Sequence, residues 1–205
     1  MDENSAIDAY FQLGQLDASS STHLMNKACF DYVAFVVRDP FFNQLRTVEG
    51  LGYVVRAASL QASNVVGLYF QVQSAQNPDY LMTRIQAFLT SFASSLIPGE
   101  DFAAQVQVIA QTKTQAPLTL QEEAALFWRE IVWQKYVFNR AQLEATALLT
   151  LTPDVVSQFY QTFILGGLYS QVFAGQEIPI PKPEAGTMFL NDVSDLHSLV
   201  THYPT

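Results

Sequence analysis

The stretch Y-V-V-R-A-A-S-L-Q-A-S-N-V-V-G-L-Y-F-Q-V-Q-S, residues 53–74, carries the alternation that decides the fold. Val66, Leu68, Phe70 and Val72 alternate against Gln71 and Gln73, a period of two that puts the apolar set on one face of a strand. Tyr53 to Gln61 and Val65 to Ser74 therefore read as two strands around an Ala62-Ser63-Asn64 turn, a hairpin with one apolar face.

Working outward, Asn77-Pro78-Asp79 supplies a helix N-cap, a proline at the first helical position and an acid in the first turn. Leu81, Ile85, Phe88, Phe92 and Leu96 follow on one stripe, and Pro98-Gly99 closes the helix. On the other side of the hairpin, Leu24, Ala28, Tyr32 and Phe35 recur at helical spacing between Ser19 and Arg38, behind a Ser/Thr cluster able to cap the start. Asp39-Pro40 is expected to interrupt that helix, with a second short one from Phe41 to about Val48 ended by Gly50 and Gly52. Upstream, Ala6 to Leu13 places Ile7, Ala9, Phe11 and Leu13 on one face against Asp8 and Gln12, a half-buried strand.

Downstream, helical segments are expected from Glu100 to about Lys113, Thr119 to about Lys135 and Arg140 to about Leu149, with Thr119 and Glu122 forming a capping box. Thr152-Pro153-Asp154 opens a further helix with Val155, Phe159 and Phe163 inward, and Gly166-Gly167 breaks it before a last strand, Leu168 to Ala174. The Ile178-Pro179-Ile180-Pro181-Lys182-Pro183 run is extended by composition. The pattern predicts an α+β fold: one mostly antiparallel sheet with helices packed on one face. Residues 1–205 read as a single domain, with an extended Pro-rich C-terminal segment, 176–205, packed on it. The aromatic series Phe127, Trp128, Trp133, Tyr136 and Phe138 is assigned to the core, in preference to an interface with a neighbouring domain.

Composition narrows the partners. Ten basic residues against nineteen acidic give a net charge of −9, which argues against nucleic acid and anionic membrane, both of which need clustered Lys and Arg. Cys29 is the only cysteine, so an internal disulfide is impossible; its place on the apolar face of its helix predicts an inert buried thiol. The acidic start Met-Asp-Glu-Asn does not resemble a signal peptide, and no apolar run reaches membrane-span length, so the expected location is cytoplasmic. A strand within a few residues of Met1 suits a piece of a longer polypeptide.

Chemistry-bearing motifs are few. A zinc peptidase of the inverted type needs H-x-x-E-H, two histidines on one helical face with a general base. His23, His197 and His202 are the only histidines, and none has a partner at ligand spacing; no metal site and no cofactor are expected in this chain. No G-x-S-x-G segment is present either. The distinctive stretch is D-P-F-F-N-Q-L-R-T-V-E-G-L-G-Y-V-V, residues 39–55.

Within it Leu45, Arg46, Thr47, Glu49, Leu51, Gly52 and Tyr53 resemble the L-R-T-x-E-x-L-G-Y signature in the C-terminal domain of insulysin and other members of the pitrilysin family of zinc metallopeptidases. The likeness extends through G-L-Y-F-Q-V-Q-S (Gly67 to Ser74), F-W-R-E-I (Phe127 to Ile131) and L-T-P-D-V-V-S-Q-F-Y (Leu151 to Tyr160), and so covers most of the chain. It implies a LuxS/MPP-like metallohydrolase domain, one of four homologous domains that enclose a chamber, with zinc and the general base in the first domain of the parent enzyme. It also implies that the isolated chain is not catalytic and that its partners are a peptide substrate and the N-terminal catalytic domains of the same polypeptide. By motif position, Arg46 would hold a substrate backbone carbonyl near the scissile bond, Tyr53 would hydrogen-bond or orient the same region, and Phe42 would line an apolar subsite. Gly50 departs from the pattern, since relatives resembling insulysin usually carry Gln there. The alternatives are an inactive scaffold or interaction domain of a processing-peptidase-like complex, and a freestanding peptide-binding module.

Overall fold

The structure, a computed structural model, describes residues 4–15, 20–62, 65–97, 101–167 and 169–174. The Ser63-Asn64 turn and the 176–205 segment lie outside the described residues. Strand β1 spans Ser5–Gln15, helix α1 Ser21–Phe42, β2 Val54–Ala62, β3 Val65–Ser74, α2 Pro78–Phe92, α3 Asp101–Lys113, α4 Leu120–Val132, α5 Arg140–Leu149, α6 Pro153–Phe159 and β4 Tyr169–Ala174. A π-helical turn, Asn43–Val48, continues α1, and a second, Tyr160–Leu165, continues α6.

The expected hairpin pairs antiparallel, Val55 opposite Val72 and Ala57 opposite Phe70. β1 then pairs antiparallel with β3, and β4 with β1, giving a four-stranded sheet in the order β2-β3-β1-β4. The register aligns Ile7 with Val72, Ala9 with Phe70 and Phe11 with Leu68. All six are buried, as are Val55 and Ala57 of β2, so the period-two pattern of three strands converges on one apolar face. β1 reaches two residues beyond the expected Leu13, because a bulge between Gln12 and Gly14 re-registers it, with Gly14 at φ 108°.

Helices cover that face. Phe41 of α1 packs edge-on against Phe70 of the sheet and Phe88 of α2, ring centroids 5.0 and 5.2 Å apart. The α2 stripe Leu81, Ile85, Phe88 and Phe92 is buried throughout, and the Asn77 side chain accepts from the Asp79 N–H at 2.8 Å, as the sequence predicts. Cys29 is buried, and burial pushes its thiol up to about 12. A charged cluster ties three helices together: Lys113 of α3 reaches Asp31 of α1 at 2.8 Å and Glu144 of α5 at 2.6 Å. Burial opposes the Lys113 charge, but the two carboxylates outweigh it and hold its pKa above the usual lysine value.

Four expectations are corrected. Pro40 does not end α1; the helix runs through it, and the Asn43 N–H bonds the Asp39 and Pro40 carbonyls. An interior proline costs about 3 kcal/mol, whereas the fully buried Phe41 and Leu45 just beyond it contribute roughly 1.5–3 kcal/mol each. Phe35 is exposed, the inward stripe running instead through Val33 and Val37. In α6, Val156 rather than Val155 is buried; the inward set is Val156, Phe159, Tyr160 and Ile164, with Phe163 partly buried against it. The aromatic series is not core: Phe127, Trp128, Tyr136 and Phe138 are all exposed, and of the residues in α4 only Glu130 is buried.

Candidate functional site

The site forms where α1 hands over to β2. Buried Leu45 and Leu51 anchor the two sides of this handover in the core. Between them the chain widens: the Glu49 N–H donates to the Gln44 carbonyl and the Leu51 N–H to the Leu45 carbonyl, both at 3.0 Å. Gly50 closes the turn in the left-handed region, φ +62°, where any L side chain would be strained by about 1–2 kcal/mol. The glycine that departs from the insulysin pattern therefore matches the backbone it occupies. At Gly52 the constraint is space: a Cβ there would overlap the Gln73 carbonyl oxygen of β3. The Ser74 hydroxyl donates to the Leu51 carbonyl and accepts from the Gln76 N–H at 3.1 Å.

A carboxylate fixes the outer side of the turn. Glu49 accepts two hydrogen bonds from Arg84 of α2, from Nε at 2.8 Å and Nη2 at 2.7 Å, and a third from Gln44 Nε2 at 2.9 Å. The Arg84 bonds, helped by Gln44 against the cost of partial burial, hold the Glu49 carboxyl below the usual glutamate range. Reciprocally, the bond to Glu49 raises Arg84. This two-pronged geometry is the strong form of ion pair.

On this frame Arg46 and Tyr53 meet. The Arg46 guanidinium carbon lies 5.2 Å from the centre of the Tyr53 ring, a cation–π contact. Tyr53 is 86% exposed, and Phe42, about one turn before Arg46, is also exposed. Among the described residues, seven side-chain ion pairs form and none uses Arg46. The two arginines of the region thus differ: Arg84 pairs with Glu49, and Arg46 pairs with no carboxylate among the described residues. A guanidinium beside a phenol can bind a carbonyl or stabilise a developing oxyanion, but neither group is a base that could activate water.

Sequence reasoning singled out Arg46, Tyr53 and Phe42; the structure joins the first two and leaves Phe42 exposed. It also adds Arg84 and Gln44, which position the turn through Glu49. Glu49 stood in the quoted motif without a role. Arg84 lies 35 positions away in α2, and only the fold brings it there.

Among the described residues no group of three His, Cys, Asp or Glu could hold a metal ion; His197 and His202 lie outside those residues. Nor is any described helix long and apolar enough to cross a membrane.

The model described as PQQ synthase PqqF-like, C-terminal lobe domain 4, matches residues 32–128, which include the whole handover. The crystal structure of pitrilysin superposes with a TM-score of 0.78 and 25% identity, covering 96% of this chain and 21% of that one. The chain is a pitrilysin-family domain of the C-terminal kind. Insulin-degrading enzyme of Mus musculus is 32% identical over 163 residues, 78% of this chain and 15% of the mouse protein. The peroxisomal insulin-degrading enzyme-like protein 1 of Arabidopsis thaliana is also 32% identical, over 81% of this chain and 17% of its own length. This pitrilysin-family domain therefore spans less than a fifth of the curated relatives it matches.

Proposed function

We propose that this domain is the non-catalytic, substrate-closing C-terminal part of a zinc metalloendopeptidase that degrades peptides. Zinc and the general base belong to N-terminal catalytic domains of the same polypeptide, and 1–205 form one domain of it, located in the cytoplasm. Arg46 donates to a backbone carbonyl of the bound peptide near the scissile bond, and Tyr53 orients the same stretch through its hydroxyl. Phe42 lines an apolar subsite.

The observation that carries this reading is the Arg46–Tyr53 pair. An arginine that pairs with no carboxylate among the described residues, stacked on an exposed tyrosine, stands on a turn that Glu49, Arg84 and Gly52 hold in place. Binding groups work when their frame is fixed beforehand, because the cost of ordering them is already met by folding.

The test is cleavage of a quenched fluorescent peptide by the full-length protein, with and without a chelator. Cleavage that the chelator abolishes and that zinc restores is the expected result. A full-length protein that binds peptide but never cleaves it would move the assignment to an inactive scaffold domain of a processing-peptidase-like complex.

A further inference from the structure

One exposed stripe runs down α1 into the handover. Phe35, Arg38, Phe42 and Arg46 are spaced three, four and four apart, which puts them on one side of the helix and of the π-helical turn that continues it. Phe35 is 43% exposed and Phe42 47%, and the Arg38 side chain is 64% exposed. The stripe has two defined ends. Asp31, four residues before Phe35, is ion-paired to Lys113 of α3, and the Tyr53 ring lies beyond Phe42, beside Arg46. Single exposed phenylalanines need no explanation. Here two of them alternate with two of the chain's ten basic residues and lead to an exposed tyrosine.

Arg38 is open to a ligand. Among the described residues its side chain makes one bond, from Nε to the Asp39 carboxylate at 3.5 Å, and the Asp39 side chain is 88% exposed. A pair so exposed contributes little. The Nη edge of the guanidinium, which can take a carboxylate in two-pronged fashion, makes no bond among the described residues.

Spacing says what fits. Four residues of helix advance about 6 Å, which is the step from Arg46 to Phe42 and again from Phe42 to Arg38. In an extended peptide, side chains on one face recur every two residues, about 6.6–6.8 Å apart. A peptide lying along α1 from the Arg46–Tyr53 pair therefore brings one side chain of a face over Phe42 and the next over Arg38. The ring receives an apolar group and the guanidinium a carboxylate. From Phe35 to Arg46 the stripe is about 16 Å long, room for roughly five extended residues.

We propose that the outward face of α1 through Phe35, Arg38 and Phe42 extends the Arg46–Tyr53 site and selects peptides that carry an acidic side chain two residues from an apolar one. The inference rests on the peptide-contact reading above and deepens it by naming the substrate class. Two observations select this occupant. The stripe is continuous with the Arg46–Tyr53 pair, and its two guanidiniums complement a carboxylate in a chain that otherwise carries a net charge of −9.

The test is peptide binding to the full-length protein with a chelator present, so that zinc-dependent cleavage does not consume the ligand. Peptides of Gly, Ser and Ala, blocked at both ends and labelled with a neutral dye, hold one Phe and one Glu in either order at varied separations; fluorescence anisotropy reads the affinity. In the parent protein the two-residue separation should bind about three- to fivefold tighter than the same peptide with Gln in place of Glu. Arg38→Gln should remove that preference, and Arg38→Glu should transfer it to the peptide with Lys in place of Glu. Both variants change an exposed side chain, so their unfolding midpoints should match the parent's. A Glu preference that Arg38→Glu leaves in place, or no preference at any separation, would overturn the proposal. Arg46→Ala separates the two readings. If it weakens the Glu and Gln peptides alike while the Arg38 variants leave their ratio unchanged, this proposal fails and the peptide-contact reading stands; if it weakens neither, the peptide-contact reading fails and takes this one with it.

Discussion

Helices α2 and α4 begin alike and end in opposite environments. Each has an apolar stripe at helical spacing behind a side-chain cap, Asn77 for α2 and Thr119 for α4. Yet Phe88 of α2 lies against Phe41 and Phe92 in the core, while Phe127 and Trp128 of α4 face outward. Periodicity therefore reports that a face wants cover without saying what covers it. For α2 the cover is the sheet side of its own domain. For α4 the buried residue is the polar Glu130, and the apolar side chains Phe127, Trp128, Ile131 and Val132 are exposed.

That contrast can be broken by substitution. The largest expected effect is Phe88→Ala, which should destabilise the 205-residue chain by about 3–5 kcal/mol, as removal of a core phenylalanine does; Phe127→Ala in the same chain should cost less than about 1 kcal/mol. Urea titration of both variants checks it, and equal losses would mean that α4 packs as α2 does.

Next in size is the clamp beside α2. Arg84→Ala should cost about 1–3 kcal/mol, since it leaves the Glu49 carboxylate, 14% exposed, without its main partner. The same pair predicts a pH effect. Glu49 is held below its unfolded value, so its contribution is fully present above about pH 4.3 and is lost as pH falls through the lower folded value. Stability measured from pH 6 to 2 should fall less steeply in Glu49→Gln than in the parent; identical slopes would remove the ion pair from the account.

The smallest effect is at the α4 start. The Thr119 hydroxyl accepts from the Glu122 N–H at 3.2 Å, so Thr119→Ala should cost about 1 kcal/mol by urea titration. A full capping box is not formed, because the Glu122 carboxylate reaches past Thr119 to the Leu118 N–H, at 2.8 Å.

Local pattern made the sheet legible: alternation in Val65–Ser74 fixed which residues point inward, and pairing with β1 and β2 follows from matching apolar faces. The caps at Asn77, Thr119 and Thr152 were equally local, each an oxygen accepting from an N–H two or three positions on. Pro40 was misread because its penalty is local, whereas the burial of Phe41 and Leu45 that outweighs it depends on the sheet and α2. In the candidate site, Arg46 and Tyr53 were legible through the resemblance; spacing alone gave only a helix end and a strand start. Arg84 could not be read in advance, since nothing in its own neighbourhood marks it as the partner of Glu49.

The proposed contact between Arg46 and the peptide is tested most directly through peptide cleavage by full-length Arg46→Ala, normalised to bound zinc. Loss of a charge-assisted hydrogen bond worth about 1.5–3 kcal/mol should lower kcat/KM roughly 10- to 100-fold, with zinc content and the unfolding midpoint unchanged. A variant that folds, holds its zinc and cleaves at the parent rate would contradict the account and leave Arg46 as a surface cation resting on Tyr53.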